Sequence, residues 1–219
     1  FDVAIFSETT TSRLLNFREF NLHATAERIL LEKPISADPR EYHQFLKISS
    51  QVGADDRTYV NFVRRAWKHI NLLAEMCSKE SEFHITLNGG AVGLGCNGIH
   101  FLDTFLYLCG QKSADIEYVS LSDLSIASGR GKEFEDIGGD FVVKSGRGRM
   151  YASLSSRSSA GVYMTIKGQH FIAFVDYSNW TWKVSRRTNS SKLPFYRYGA
   201  EYEVVRDESL QIPSMEDVT

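Results

Sequence analysis

Short apolar runs alternate with amphipathic stretches through the first sixty residues. Phe1-Asp2-Val3-Ala4-Ile5-Phe6 reads as a strand, Ser7 to Ser12 as a polar turn, and the residues to about Ala26 as a helix. Ile29-Leu30-Leu31 is a second strand, and its continuous apolar character predicts a sheet covered on both faces. Asp38-Pro39-Arg40-Glu41 is a helix start: Asp38 caps, Pro39 suits the first helical position and Glu41 completes a capping box. Tyr42, Phe45, Leu46 and Ser49 then share a face, and Gly53 ends the helix. Thr58 to Val63 reads as a third strand, and Trp67 to Lys79 as a helix burying Ile70, Leu73 and Cys77. Strand and helix alternating in this order predict a parallel sheet.

From about Glu82 the period changes from helical to two. Ile99 to Leu108 is one more helix, and the rest of the chain is a series of strands. Met150, Ala152 and Leu154 face one way while Tyr151, Ser153 and Ser155 face the other; Val162, Met164 and Ile166 oppose Tyr163, Thr165 and Lys167. This pattern is that of an antiparallel sheet with one wetter face. Gly146, Gly148 and Gly168 mark hairpins or bulges, and Ser128-Gly129-Arg130-Gly131 reads as a mobile loop. The chain thus divides into part of an α/β domain, residues 1–64, and an α+β domain with an open-faced, mostly antiparallel sheet, residues 65–219.

Composition narrows the function classes. The 219 residues carry a formal charge of -2, with no basic stripe interleaved with aromatics, so a nucleic-acid partner is not expected. No apolar run approaches a membrane span, and the first residues lack the pattern of a signal peptide. Three cysteines without ligand spacing fit a reducing cytoplasm, and six histidines that do not pair predict no metal site. The chain opens on Phe1 directly into a strand and stops just after a polar stretch, so both ends read as cut.

Two segments carry candidate chemistry. Glu32-Lys33-Pro34 ends a buried parallel strand, where open α/β sheets place ligands. Pro34 restricts Lys33 to extended geometry, which would hold an ammonium at the sheet rim, able to bond a hydroxyl and shuttle its proton. A plain surface lysine is the other reading. Gly98-Ile99-His100-Phe101-Leu102-Asp103 places His100 just inside a helix start, as an acid-base group or a core histidine. Asp103, one turn on, can touch His100 or a ligand, or serve helix electrostatics. Arg64-Arg65 could hold an anionic group or form a solvated edge or ion pair. Gly89-Gly90-Ala91-Val92-Gly93-Leu94-Gly95 lacks the lysine of a phosphate loop and reads instead as a flexible loop that lets a ligand approach backbone. Tyr177, Trp180 and Trp182 lie on or beside a late strand, as sheet packing or, less readily, a sugar platform.

Leu30-Leu31-Glu32-Lys33-Pro34, Tyr59 to Arg65, Gly98 to Asp103 and Glu135-Asp136 with the strands to Asp176, in this order and spacing, resemble the glucose-fructose oxidoreductase, inositol dehydrogenase and MocA family of nicotinamide-dependent enzymes. The resemblance implies a partial Rossmann-type parallel sheet followed by an open sheet that carries substrate and pairs subunits as a homodimer or homotetramer. It implies NAD or NADP as cofactor and hydride transfer at a carbinol carbon of a sugar, cyclitol or nucleotide sugar. Lys33 and His100 would be catalytic, with the Lys33-Pro34 bond often cis. Glu32, Pro34, Ser7 and Thr9 would contact cofactor; Arg65, Cys96, Asn97 and Asp103 would contact substrate.

The family pattern puts an aspartate four residues before the histidine; here that position is Cys96, a thiol that does not replace a carboxylate unless it ionises. The pattern also puts a glycine-rich turn and the first strands before Phe1, and a closing helix at the other end. The alternative implied by these departures is a catalytically silent relative, acting as a sugar-binding or dimerisation module.

Overall fold

Three short strands run parallel in chain order: β1 (Val3–Phe6), β2 (Arg28–Leu31) and β3 (Thr58–Val60). This is a computed structural model, and it describes residues 1–127, 134–188, 192–194 and 197–211. Helices α1 (Thr10–His23) and α2 (Pro39–Gln51) form the two crossovers. Phe17 of α1 and Phe45 of α2 bury against Phe6, Ile29 and Leu31, with the Phe17 ring 5.5 Å from Phe6 and 5.3 Å from Phe45. Burying each such side chain stabilises the fold by about 1.5–3 kcal/mol.

Among the described residues of the first unit, α1 and α2 cover one face of this sheet. Val3 and Ile5 are 52% and 64% exposed, which corrects the expectation of two covered faces: the apolar run Ile29-Leu30-Leu31 is asymmetric, with Ile29 and Leu31 buried and Leu30 half-buried. The α2 start also differs in detail. Asp38 accepts from Arg40 N–H at 2.9 Å and Pro39 opens the helix as expected. Glu41 does not reach back to Asp38; Ser36 Oγ accepts from the Asp38 N–H and donates to the Glu41 carboxylate, relaying the capping box through a residue outside the helix. Phe45 and Ser49 are buried, whereas Leu46 is 66% exposed because it lies a quarter turn off that face.

The chain separates into two compact units, Phe1–Val63 and Arg64–Thr219. The second holds α3 (Lys68–Ser78), β4 (Phe83–Gly89), α4 (Leu94–Cys109), β5 (Asp115–Ala127), β6 (Glu135–Ser145), β7 (Gly148–Leu154), β8 (Tyr163–Lys167), β9 (Phe171–Asp176), β10 (Thr181–Arg187) and β11 (Tyr202–Ser209). The eight strands form one sheet in the order β11-β10-β9-β8-β4-β7-β6-β5. Only β4 and β7 pair in parallel; every other neighbouring pair is antiparallel.

Alternation decides which face is buried. Ile85 and Leu87, Met150 and Ala152, Met164 and Ile166, Ala173 and Val175 all point into one core with Ile70, Leu73 and Cys77 of α3 and Phe101, Phe105 and Leu108 of α4. Thr86, Asn88, Tyr151, Tyr163 and Phe174 occupy the opposite, exposed face. The tight turn between β6 and β7 carries Gly146 at φ +53°, as the glycine spacing predicts. Ser128 to Gly131 lie outside the described residues.

Candidate active site

In the first unit the candidate residues collect at the carboxyl ends of β1 and β2. Glu32 N–H bonds to the Phe6 carbonyl at 2.9 Å, so the segment leaving β2 runs beside the turn leaving β1. Lys33 is half-buried and its bond to Pro34 is cis. The Glu32 carboxylate accepts from the Asn61 side-chain amide, while Asn61 N–H bonds the Leu31 carbonyl at 2.9 Å. Ser7 and Thr9 are exposed, and Thr9 Oγ1 is 3.0 Å from Thr11 Oγ1.

A residue that sequence reasoning missed fixes this rim. Arg13 is 3% exposed, and its guanidinium donates to the carbonyls of Glu32 and Pro34, both at 2.5 Å, and to that of Glu8. One side chain thus ties the turn after β1 to the turn after β2. The signal was available: Arg13 precedes the buried Phe17 by one helical turn and must share its inward face.

In the second unit, α4 begins at Leu94, five residues before the expected Ile99. His100 therefore lies in the second turn, and Cys96 and Asn97 occupy the first. The cause is Asp136, at the start of β6. Its carboxylate accepts from Gly95 N–H at 2.7 Å, Cys96 N–H at 2.9 Å and its neighbour Ile137 N–H at 2.8 Å, capping a helix otherwise rich in glycine. The Cys96 thiol also bonds to it. Burial alone would raise the Asp136 carboxyl, but these hydrogen bonds together hold it below the ordinary carboxylate range.

The glycine segment is thus packed against protein, correcting the flexible ligand loop expected there. Gly93, at φ +75°, has no room for a Cβ beside the Asp136 carboxylate, and Gly90 has none beside the Ser158 and Ala160 carbonyls. Asn97 donates to the Val92 carbonyl, closing the same turn. His100 is half-buried, and its carbonyl accepts from Thr104 Oγ1 at 2.8 Å. Asp103 is buried and paired with Arg65, whose Nε lies 3.0 and 3.2 Å from its two oxygens. Of the expected substrate contacts, Arg65 and Asp103 are joined to each other, while Cys96 and Asn97 share the first turn of the His100 helix.

Among the described residues no group of three or more His, Cys, Asp or Glu side chains could hold a metal, and no helix is long and apolar enough to cross a membrane. The rim of the first unit fits part of a nicotinamide nucleotide. The first turn of α1 carries no acidic residue, and the Thr9 side chain bonds the Thr11 hydroxyl rather than capping a backbone N–H, so helix N–H groups beside β1 have no side-chain acceptor.

No protein-family model and no curated protein matches the sequence. Solved structures do match its fold. A dehydrogenase (MviM) from Clostridium difficile aligns with a TM-score of 0.62 at 15% identity, over 93% of this chain and 62% of its own. A UDP-N-acetylglucosamine 3-dehydrogenase, GnnA, from Acidithiobacillus ferrooxidans aligns at 0.60 and 17% identity, over 95% and 64%. An NAD binding oxidoreductase from Klebsiella pneumoniae aligns at 0.61 and 15%, over 93% and 60%. The chain therefore has the fold of glucose-fructose oxidoreductase, inositol dehydrogenase and MocA-type proteins, and spans somewhat less than two thirds of the length of these three.

Proposed function

We propose that the chain is part of an NAD- or NADP-dependent oxidoreductase acting at a carbinol carbon of a sugar, cyclitol or nucleotide sugar. The observation that carries this is Lys33: a half-buried ammonium at the carboxyl end of a parallel strand, on a segment fixed from behind by Arg13. That is the rim where open α/β sheets bind ligands. The fold supports it, since the similar structures include a nucleotide-sugar dehydrogenase and an NAD binding oxidoreductase.

Nicotinamide, when bound, supplies or takes the hydride. Lys33 donates a hydrogen bond to the oxygen on the reacting carbon and stabilises the negative charge that develops there as the O–H proton leaves. His100 takes that proton in the oxidation and returns it in the reduction. Glu32, Pro34, Ser7 and Thr9 contact the nucleotide, and Cys96 and Asn97 offer the substrate neutral polar groups. The exposed sheet face, with Tyr151, Tyr163 and Phe174, is the surface for a homodimer or homotetramer, and three cysteines outside any disulfide suit the cytoplasm.

In the protein that carries this chain, Lys33→Ala abolishes turnover of such substrates while cofactor affinity, read by nucleotide fluorescence, stays within about threefold. Unchanged turnover would remove Lys33 from the site. A second reading has one observation in its favour: Cys96 commits its thiol to Asp136, so residue 96 brings no carboxylate to a substrate. In that case the protein binds sugar or pairs subunits without catalysis, and no substrate consumes NAD or NADP.

A further inference from the structure

Helices α1 and α2 leave a groove of about 700 Å³ between them, wholly within the first unit. Each carries the chain from the carboxyl end of one parallel strand back to the start of the next, so the two run side by side in the same direction. Leu14 and Ile48 form the floor, half-buried and packed against the core of Phe6, Phe17 and Phe45. Leu15 and Leu22 stand on the α1 wall, 61% and 65% exposed, with Val52 across from them at the end of α2. A single exposed leucine is ordinary on a protein surface, but these two lie seven residues apart on one helix face and line one groove. Between them the walls are basic. Arg18 and Lys47 each lie eight residues after the first residue of their helix, which brings two cations to the same level on opposite walls. The acids of these helices are engaged elsewhere: Glu19 faces His23 at 3.6 Å, Asp38 holds Arg40 at 2.6 Å, and the Glu41 carboxylate accepts from Ser36. Among the described residues, neither Arg18 nor Lys47 forms an ion pair.

A groove that is apolar at two levels and cationic between them fits one face of an amphipathic helix, with apolar residues at i and i+7 and carboxylates at i+3 and i+4. Seven residues of such a helix rise about 10.5 Å, the same as the step from Leu15 to Leu22. We infer that the groove between α1 and α2 docks an acidic amphipathic helix of a partner protein. A small anion would engage Arg18 and Lys47 but leave both leucines in water. A wholly apolar helix would cover the leucines but take two cations out of water without a counter-charge. Only an occupant carrying both groups satisfies both levels. The docking face is built from the first unit alone and does not depend on the nicotinamide reading.

The test uses the intact protein and a fluorescent synthetic peptide of about 15 residues, with leucine at i and i+7 and glutamate at i+3 and i+4, held helical by a lactam bridge on its outer face. Fluorescence anisotropy should show saturable binding with a Kd of about 10–100 μM at low salt, weakening as salt is raised. Two companion peptides, one with lysine for glutamate and one with alanine for leucine, should each bind at least about tenfold more weakly. Arg18→Glu combined with Lys47→Glu should reject the glutamate peptide and accept the lysine peptide, an exchange of preference that loss of folding does not imitate. Leu22→Ser weakens the glutamate peptide by about tenfold, and Lys112→Glu in the second unit leaves it unchanged. Equal binding of the alanine peptide would make the groove a simple anion site, and equal binding of the lysine peptide an unselective apolar one. Either result, or no saturable binding of the glutamate peptide to the intact protein, overturns the proposal.

Discussion

Arg65 and Asp103 meet side-on, with Arg65 Nε 3.0 Å from Oδ2 and Nη2 2.5 Å from Oδ1. The pair joins the segment after the first unit to the buried face of α4, because Asp103 is nearly inaccessible while the Arg65 side chain is half exposed. That asymmetry gives an ordered expectation. Arg65→Ala strands a buried carboxylate and costs about 2–3 kcal/mol, whereas Asp103→Ala returns the arginine to water and costs less. Urea unfolding of the two variants checks the order; equal losses would mean that Asp103 finds another partner.

Arg13 bonds four carbonyls on two turns, those of Glu8, Glu32, Pro34 and Ile35, a geometry that needs a guanidinium. Arg13→Lys is therefore expected to lose most of what Arg13→Ala loses, about 2–3 kcal/mol of stability. Hydrogen exchange should quicken at Glu32, Lys33 and Ile35 in both variants, with Leu73 in the second unit unchanged. Full rescue by lysine would assign the effect to charge alone.

The features legible in the chain were local ones. Ile70, Leu73 and Cys77 come from helical period, and the buried row Met150, Ala152, Leu154 from strand period; all six are buried. The strand end at Lys33 comes from the apolar run closing at Leu31 and from Pro34. The features that escaped depend on partners distant in sequence. The α4 start was placed late because Gly93, Gly95 and Gly98 argue for loop, and the group that makes them helical, Asp136, lies 40 residues from Cys96. Spacing offers Asp103 either His100 or a ligand, or a role in helix electrostatics, whereas its charge-assisted partner Arg65 lies 38 residues away. Ser36 is a local exception: it lies five residues before Glu41 and displaces the direct capping box because its hydroxyl can both accept from Asp38 N–H and donate to the carboxylate.

Asp136 makes the α4 start sensitive to acid. Its folded pKa is lowered, so its contribution is present above the unfolded value of about 4 and is lost as pH falls through the lower folded value. Below pH 4 wild type should lose stability that Asp136→Asn, already weaker at neutral pH by about 1–3 kcal/mol, no longer has to lose. Urea midpoints from pH 3 to 7 for both proteins make the comparison. Parallel curves would exclude Asp136 as the titrating cap.

His69 adds a second acid step in a separate window. Its ring is buried against Trp67, Tyr177 and Trp182, both nitrogens lack a hydrogen-bond partner among the described residues, and burial, with the Arg64 charge behind it, lowers its pKa to about 4. A small cavity beside it is lined by Lys68, Glu208, Ser209 and Gln211; of these Lys68 opposes protonation and Glu208 favours it. The unfolded chain binds the proton near pH 6.5 and the folded chain does not, so stability falls as pH drops from about 6.5 to about 4 and then levels. The full loss is about 3 kcal/mol at most. His69→Phe keeps the ring packing and has no proton to bind, so its midpoint should stay flat over that window and diverge from wild type only there. If both proteins fall together between pH 6.5 and 4, His69 is not the group responsible, and its nitrogens must find acceptors or donors that keep its pKa ordinary.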